Sequence, residues 1–331
     1  MISLVISTGQ DSRNLCPLLL EQGQKIICTY RYSSQPLDQR LGGFPRQNEI
    51  EFMCMDLCDA SSVNAVMSEV APDNVFCMGA LSNVGHSFSS PYQHCITNAI
   101  GPLNVLEAIR IHSPHTRGYF CGSSEEFGSN VDSDGFQRIT TPLQANSVYA
   151  ASKIMSRNLV SVYRRSYNLF VVTGLLFNHT SIHRTPPENF IESKIAQYVG
   201  KMINWEERHN TTYPYKLKCG LLTPKRDFGW SEDYMRAAML MLEVDTPKDY
   251  VVATGETHSI EEIMQYMFGR VSRHYKDYIE QVPEFMRPID VNYLCGDSAP
   301  IRQELGWQTT KTFSQLMDML VDHFIKQEFI K

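Results

Sequence analysis

The sequence lacks three features that would each mark a class of protein. It has no apolar run long enough to cross a membrane. Its nine cysteines include no Cys-x-x-Cys pair, and no Cys or carboxylate cluster beside its ten histidines completes a metal site. Its 30 Lys and Arg residues are fewer than its 36 Asp and Glu residues, which gives a net charge of −6. We therefore expect no membrane protein, no metalloprotein, and no binding to nucleic acid or to an anionic membrane.

The start of the chain indicates a cytoplasmic protein. A strand-like apolar run, residues 2–6, begins directly after Met1 and leaves no room for a signal peptide. In a reducing compartment, irregularly spaced cysteines behave mostly as small buried apolar side chains.

The first half of the chain alternates short apolar runs with amphipathic segments. The predicted strands are residues 2–6, 25–29, 50–54, 74–78, 118–121 and 170–176. The predicted helices are residues 15–22, 61–70, 92–111 and 148–167. This alternation predicts an α/β fold of the Rossmann type, a doubly wound parallel sheet with helices on both faces.

The second half has a different pattern. Helices are predicted at 188–202, 231–244 and 312–327, and a short strand is predicted at 250–254. Ser259 and Glu262 have the spacing of a capping box that opens a further helix. We expect a first domain at 1–177 and a smaller mixed α/β domain at 178–331, some of whose segments return to the first domain.

Two short motifs in the first half suggest catalysis. Ser123, Ser124 and Glu125 follow a predicted strand, and ligands on parallel sheets bind where strands end. Tyr149 and Lys153, four residues apart, lie on one face of a predicted helix. The ammonium of Lys153 is expected to lower the pKa of the Tyr149 phenol and make it a general base, while Glu125 adds a second base. A Tyr-x-x-x-Lys spacing also occurs by chance in a chain with 16 tyrosines, so the surrounding motifs decide whether this pair is catalytic.

The context is a series of motifs that resembles the extended short-chain dehydrogenases/reductases and, in the second half, the GDP-mannose 4,6-dehydratase family. The resemblance runs from end to end. In the first half it rests on Thr8-Gly9-Gln10-Asp11, Asp56-Leu57, Ser82-Asn83-Val84, Ser123 to Gly128, and Tyr149 with Lys153. In the second half it rests on residues 177–181, 225–229 and 253–259, Arg287-Pro288, Gly296-Asp297 and Leu305-Gly306-Trp307.

The resemblance implies a sugar-nucleotide 4,6-dehydratase, a lyase that uses internal hydride transfer through bound NADP. Tyr149 would accept the proton of the sugar 4-hydroxyl, and Lys153 would lower its pKa and bind the nicotinamide ribose. Glu125 would remove the C5 proton and assist the loss of water from C6. Ser123 would hydrogen-bond the 4-oxygen. Ser124 stands where nucleoside-diphosphoglucose dehydratases carry a dedicated acid, so Glu125 would act as both base and acid.

The resemblance also implies the binding residues and partners. The first domain would bind NADP through Thr8, Gly9, Gln10, Asp11, Arg31, Asp56 and Leu57, together with Tyr149 and Lys153. The second domain would bind most of a GDP-hexose, with GDP-mannose as the default substrate. The substrate residues would be Ser82, Ser124, Asn178, Arg184, Lys194, Arg226, Arg287 and Asp290. Family relatives form dimers and tetramers, so we expect a homodimer or a homotetramer, the dimer forming through the two long helices at 92–111 and 148–167.

The sequence departs from the family pattern at the phosphate-binding loop. Of three glycines at this loop only Gly9 is present, and Ile6 and Ser12 replace the others. Ile6 is poorly suited to unusual backbone dihedrals, whereas the Ser12 hydroxyl could cap the helix. The family's paired arginines become Arg31-Tyr32, which favours NADP over NAD narrowly.

Two alternatives therefore stay open. The first is a related GDP-sugar epimerase or 4-keto reductase, against which Glu125 argues because reduction needs no base at C5. The second is a non-catalytic GDP-sugar-binding protein, which the missing glycines suggest.

Overall fold

Seven strands form one parallel sheet within residues 1–286 and 288–330, the part of the chain that the structure, a computed structural model, describes. The strands of the described residues are β1 (Ile2–Ile6), β2 (Lys25–Tyr30), β3 (Glu51–Cys54), β4 (Asn74–Cys77), β5 (Arg117–Cys121), β6 (Val171–Leu176), β7 (Asn178–Thr180), β8 (Leu217–Cys219), β9 (Lys225–Trp230), β10 (Tyr250–Val252), β11 (Thr257–Ser259) and β12 (Ile279–Gln281). The seven strands of the main sheet run in the order β10-β6-β5-β4-β1-β2-β3, and every neighbouring pair is parallel. The doubly wound α/β fold predicted from the sequence is confirmed.

Helices cover both faces of the sheet. They are α1 (Gln10–Glu21), α2 (Leu37–Leu41), α3 (Ala60–Val70), α4 (Pro91–Cys95), α5 (Gly101–His112), α6 (Val148–Tyr167), α7 (Ile191–His209), α8 (Ser231–Glu243), α9 (Ile260–Gly269), α10 (Ala299–Leu305) and α11 (Phe313–Ile330). One face packs against α1 and α8, with Leu15 and Met235 fully buried. The other packs against α3, α5 and α6, with Val63, Leu106 and Val160 fully buried.

The second half forms its own apolar core beside the carboxyl edge of the sheet. Strands β11, β9 and β7 form a three-stranded sheet, and α7 packs along α11. Two elements of this half return to the main sheet: β10 pairs with β6, and α8 packs on α1. No helix in residues 1–286 and 288–330 combines the length and the apolar character that crossing a bilayer requires.

The predicted elements agree with the structure except at one long helix. The six predicted strands of the first half end within one residue of β1 to β6. The helix predicted at 92–111 is present, but a π-helical turn, Ile96–Ile100, interrupts its α-helical hydrogen bonding between α4 and α5. Helix α1 begins at Gln10, earlier than predicted, and α7 extends from Ile191 to His209, beyond the predicted end.

Candidate active site

A cavity of about 850 Å³ opens at the carboxyl edge of the main sheet, where the second half of the chain covers it. Its floor includes Met78, Cys121 and Leu176, which lie at the ends of β4, β5 and β6. Ligands of doubly wound sheets bind at this edge. The cavity is therefore the candidate active site.

The turn after β5 carries three of the predicted residues in a fixed arrangement. Ser123, Ser124 and Glu125 enter a short 3₁₀ helix, Ser124–Phe127, and all three are buried. The Ser123 hydroxyl accepts a hydrogen bond from the Glu125 amide at 3.3 Å. The Glu126 carboxylate accepts one from the Ser123 amide at 2.8 Å. Ser123 and Glu126 form a capping box, which fixes the turn at the cavity wall.

Helix α6 brings Tyr149 and Lys153 to the same wall. Ser147 caps the helix by accepting a hydrogen bond from the Ala150 amide at 3.0 Å, so Tyr149 lies in the first turn. The Lys153 ammonium donates to the Cys121 carbonyl at 2.9 Å and lies 6.0 Å from the centre of the Tyr149 ring. The Ser123 side chain lies near the Tyr149 phenol and acts to lower its pKa, against the larger effect of burial. Ser123, Glu125, Tyr149 and Lys153 thus face one cavity.

Burial dominates the acidity of Tyr149 in the protein alone. It raises the pKa of Tyr149 above the usual phenol value, and the Lys153 charge and the nearby Ser123 side chain reduce the rise without reversing it. The expectation of a lowered pKa is therefore not met in the absence of ligands. Burial would lower the pKa of Lys153, but the neighbouring ionisable groups, Tyr149 first, raise it above its usual value, so Lys153 is a cation.

The altered phosphate loop keeps the start of α1 open to the cavity. The positive φ falls on Ser7, at 152°, and not on Ile6, which stays buried within β1. Gly9 precedes the helix, and a Cβ there would meet only the Ser7 hydroxyl, at 3.2 Å. Backbone amides at the start of a 12-residue helix suit a dinucleotide diphosphate, so this loop fits the predicted cofactor. The buried Ser12 hydroxyl has no hydrogen-bond partner in the described part of the chain, and it does not cap the helix.

Gln10 and Asp11 connect this loop to the second half of the chain. The Asp11 carboxylate lies 3.1 Å from His179 Nε2 and accepts a hydrogen bond from the Ser231 hydroxyl at 2.8 Å. The Gln10 side chain accepts one from the Ser181 amide at 2.9 Å. Burial would raise the pKa of Asp11, but His179, Ser231 and Gln10 hold it well below its usual range. Gln10 and Asp11 thus line the cavity and also connect the loop to residues 179, 181 and 231.

The other predicted cofactor residues lie along the neighbouring strand ends. Arg31 is exposed directly after β2, and Asp56 and Leu57 follow β3. The Asp56 carboxylate accepts a hydrogen bond from the Cys58 amide at 2.9 Å, and Leu57 is buried. The Thr8 carbonyl accepts a bond from Arg13 at 3.4 Å. Thr8, Arg31, Asp56 and Leu57 lie outside the lining of the catalytic cavity, at strand ends that suit the adenosine half of a dinucleotide.

The structure places most predicted substrate residues on the cavity wall. Those that line it are Ser82, Ser124, Asn178, Arg184, Lys194, Arg226 and Asp290. Arg226 lies 3.2 Å from the Asp290 carboxylate, and it is buried. The predicted Arg287 lies outside the described residues.

Arg184 and Lys194 make contacts that hold them at the cavity wall. Arg184 lies 3.4 Å from the Glu192 carboxylate, donates to the His179 carbonyl, and stacks on Phe190 with its guanidinium carbon 3.8 Å from the ring centre. The Lys194 ammonium lies 4.0 Å from the Phe285 ring centre. Both cations are thus already engaged with the protein.

Sequence reasoning missed Asn98, which fixes one wall of the cavity. The Asn98 side chain accepts a hydrogen bond from the Leu81 amide at 2.8 Å and donates to the Leu81 carbonyl at 3.0 Å. It thereby holds the loop that carries Ser82. Asn98 lies in the π-helical turn, and π-helical turns are frequent at functional sites. The amphipathic pattern of residues 92–111 carried no signal for this turn.

The fold and the Ser-Tyr-Lys arrangement define an extended short-chain dehydrogenase/reductase. The fold resembles a UDP-glucose 4-epimerase from Thermus thermophilus in complex with NAD, with a TM-score of 0.82 at 24% identity, covering 98% of this chain and 99% of that one. It also resembles a dTDP-glucose 4,6-dehydratase from Bacillus anthracis in complex with NAD, with a TM-score of 0.82 at 19% identity, covering 99% and 98%.

Sequence comparison narrows the class to one family. The family model described as GDP-mannose 4,6 dehydratase matches residues 7–320. GDP-mannose 4,6 dehydratase 1 of Arabidopsis thaliana is 36% identical over 325 residues, which cover 95% of this chain and 87% of that protein. The GDP-mannose 4,6-dehydratase of Vibrio cholerae serotype O1 is 31% identical over 354 residues, covering 97% and 92%. The chain belongs to the GDP-mannose 4,6-dehydratase family, and the predicted sugar-nucleotide 4,6-dehydratase, a lyase, is confirmed.

Proposed function

We propose that this chain converts GDP-mannose to GDP-4-keto-6-deoxy-mannose with NADP as its bound cofactor. The observation that carries the proposal is the convergence of Ser123, Glu125, Tyr149 and Lys153 on one cavity. The same cavity includes the buried Arg226, whose guanidinium suits a diphosphate.

Each catalytic side chain has a role that follows from its chemistry. Tyr149 takes the proton of the sugar 4-hydroxyl, helped by the Lys153 charge, and Ser123 donates a hydrogen bond to the 4-oxygen. A bound nicotinamide would supply the hydride acceptor at C4 and the hydride donor at C6. The 4-keto group acidifies C5–H, so Glu125 removes this proton and then delivers it to the leaving 6-hydroxyl, which departs as water. A hydride at C6 would leave an enolate, whose C5 takes a proton from solvent, and Tyr149 releases to solvent the proton that it accepted from the 4-hydroxyl. The net change is loss of one water from the sugar.

A product assay tests this proposal. Purified protein supplied with NADP and GDP-mannose should yield a 4-keto sugar nucleotide that NMR identifies. Failure with every GDP-hexose would contradict the dehydratase proposal. Calorimetry with GDP and with NADP, run separately, then distinguishes the non-catalytic alternative, for which GDP binds and the cofactor does not.

Arg31 is proposed to select NADP over NAD. It lies exposed at the end of β2, where a single guanidinium can pair with a 2′-phosphate. We expect Arg31→Ala to weaken NADP binding about 10- to 150-fold, because a charged hydrogen bond contributes about 1.5–3 kcal/mol, and to leave NAD binding unchanged. Calorimetry measures both affinities, and Arg46→Ala, which removes an exposed arginine paired with Glu49, is the control. Equal loss for the two cofactors would contradict this role.

A homodimer is proposed through the two long helical segments. Tyr92 on α4 and Met155 and Val162 on α6 are exposed apolar side chains, with exposed fractions of 75%, 43% and 42%. Residues seven apart lie on one helix face, so Met155 and Val162 form one stripe. We expect the wild type to elute as a dimer in size-exclusion chromatography with light scattering, and Val162→Glu to shift it to a monomer. Val131→Glu, at another exposed apolar side chain, should leave the dimer intact. A monomeric wild type would contradict the proposal.

We place the protein in the cytoplasm, since all nine cysteines are free and a reducing compartment keeps them so. Fractionation of host cells with a specific antibody tests this location.

A further inference from the structure

Glu126 is a fully buried acid beside the catalytic turn, and the mechanism above does not use it. Its side chain is 0% exposed, and one carboxylate oxygen accepts the Ser123 amide at 2.8 Å. The other oxygen, Oε2, has no hydrogen-bond partner in the described residues. Burying a carboxylate oxygen without a hydrogen-bond partner costs folding free energy, and a smaller or apolar side chain would avoid this cost. A role in the active site would explain why a glutamate stands at this position.

Arg157 lies behind this acid on the catalytic helix. Its Nη1 is 3.7 Å from Glu126 Oε2, while its Nη2 donates to the Ile139 carbonyl at 3.1 Å. Tyr149, Lys153 and Arg157 follow one another at four-residue spacing on α6 and therefore share a face. Glu126 thus connects the turn after β5 to the face of α6 that carries the catalytic base.

The main chain before Ser123 packs closely against this connection. A Cβ on Gly122 would lie 3.0 Å from Glu126 Oε1 and 3.2 Å from the Gly174 carbonyl, so only glycine fits before Ser123. The charged groups acting on Glu126 are Arg157 and Lys153 from α6 and Asp249 from the segment before β10. Burial raises the pKa of Glu126 to about 7, and the two cations oppose that rise.

We propose that Glu126, backed by Arg157, is a positioning residue that holds the Ser123 hydroxyl and Glu125 in register with Tyr149. This inference rests on the proposed dehydratase function. The Ser123 hydroxyl accepts a hydrogen bond from the Glu125 amide and faces the same cavity as Tyr149, so the Ser123 main chain sets the position of its hydroxyl and of Glu125. Glu126 holds that main chain at its amide. A displacement of about 1 Å at a reacting group lowers turnover about 100-fold.

The test compares three substitutions at this position by steady-state kinetics with GDP-mannose. Glu126→Leu removes the acceptor for the Ser123 amide, and we expect kcat to fall about 100-fold while KM changes less than about twofold. Glu126→Gln keeps an acceptor oxygen and should restore kcat to within about threefold. In Glu126→Asp the carboxylate is one methylene too short to reach the Ser123 amide, so its kcat should fall as in Glu126→Leu. The aspartate variant therefore provides the same test if the leucine variant does not fold. Glu107→Gln, which removes a partly exposed acid on α5, is the matched control and should keep wild-type kcat.

A second readout does not depend on turnover. The pKa of Glu126 is raised from 4.5 to about 7 in the folded state, so its contribution to stability is fully present below about pH 4.5 and is lost as the pH rises through about 7. Glu126→Gln cannot titrate. The difference in melting temperature, Glu126→Gln minus wild type, should therefore become more positive as the pH rises from about 4.5 to about 8.

The outcomes separate the inference from the function on which it rests. Wild-type kcat in both Glu126→Leu and Glu126→Asp, or an equal loss in Glu126→Gln and Glu126→Leu, overturns the positioning role while the wild type stays an active dehydratase. A wild type that makes no 4-keto product overturns the proposed function, and the positioning role with it. Low kcat with unchanged KM in Glu126→Leu and recovery in Glu126→Gln support the inference.

Discussion

Glu125→Gln is expected to lower the formation of 4-keto-6-deoxy product by about 1,000-fold, within the 10²–10⁴ range for loss of a general acid–base group. Glutamine has nearly the shape of glutamate but cannot accept the C5 proton at neutral pH. Ser123, Tyr149 and Lys153 remain in place around it. Oxidation at C4 should therefore survive while elimination stops.

Three measurements check this expectation. NMR in heavy water should show no deuterium entering C5, and the absorbance of reduced nicotinamide should appear and persist after GDP-mannose is added. Calorimetry should give a GDP affinity within about twofold of wild type, since Glu125 is assigned to the sugar end of the site. Glu69→Gln, an exposed acid on α3, is the control for loss of a negative charge. Undiminished deuterium exchange in Glu125→Gln would assign the C5 base to another group and reopen the epimerase or reductase alternative.

The sequence predicted the parts of the fold in which local pattern and tertiary packing agree. Helix α6 matches its predicted bounds of 148–167, because Ser147 caps its start and Asn168, with a φ of 53°, ends it. The segment at 92–111 has an equally regular pattern, yet it contains a π-helical turn. Asn98 in that turn bonds Leu81, seventeen residues away along the chain, and a local pattern cannot report such a contact.

The motifs and the family resemblance predicted which side chains would lie together, but they did not predict how burial changes the acidity of those side chains. Ser123, Glu125, Tyr149 and Lys153 do share one cavity. The expected fall in the pKa of Tyr149 considered only the Lys153 charge, whereas burial has the larger effect in the protein alone. The sequence indicates that Ile6 is poorly suited to the phosphate loop, but the unusual dihedral falls on Ser7.

Asp227 is expected to be sensitive to substitution, because its buried carboxylate accepts four hydrogen bonds. It is 0% exposed, and its Oδ1 accepts the Thr254 amide at 2.8 Å and the Thr254 hydroxyl at 2.6 Å. Its Oδ2 accepts the amides of Gly255 at 2.9 Å and Gly296 at 3.3 Å. All four contacts are donors to the carboxylate. Asp227→Asn would turn an NH₂ group toward two of these donors, leaving them unsatisfied in a buried site.

We therefore expect Asp227→Asn to lower the free energy of unfolding by about 3 kcal/mol or more, since each unsatisfied buried group costs about 1–3 kcal/mol. Denaturant unfolding at neutral pH measures the loss, and Asp245→Asn, at an exposed position, is the control. A loss below about 1 kcal/mol would mean that the amide finds other partners. Side chains alternate along β9, so Asp227 faces away from the cavity that Arg226 and Phe228 line. The same substitution should therefore weaken GDP binding without touching the ligand, because Asp227 ties β9 to residues 254–255 and 296 and so sets the position of Arg226.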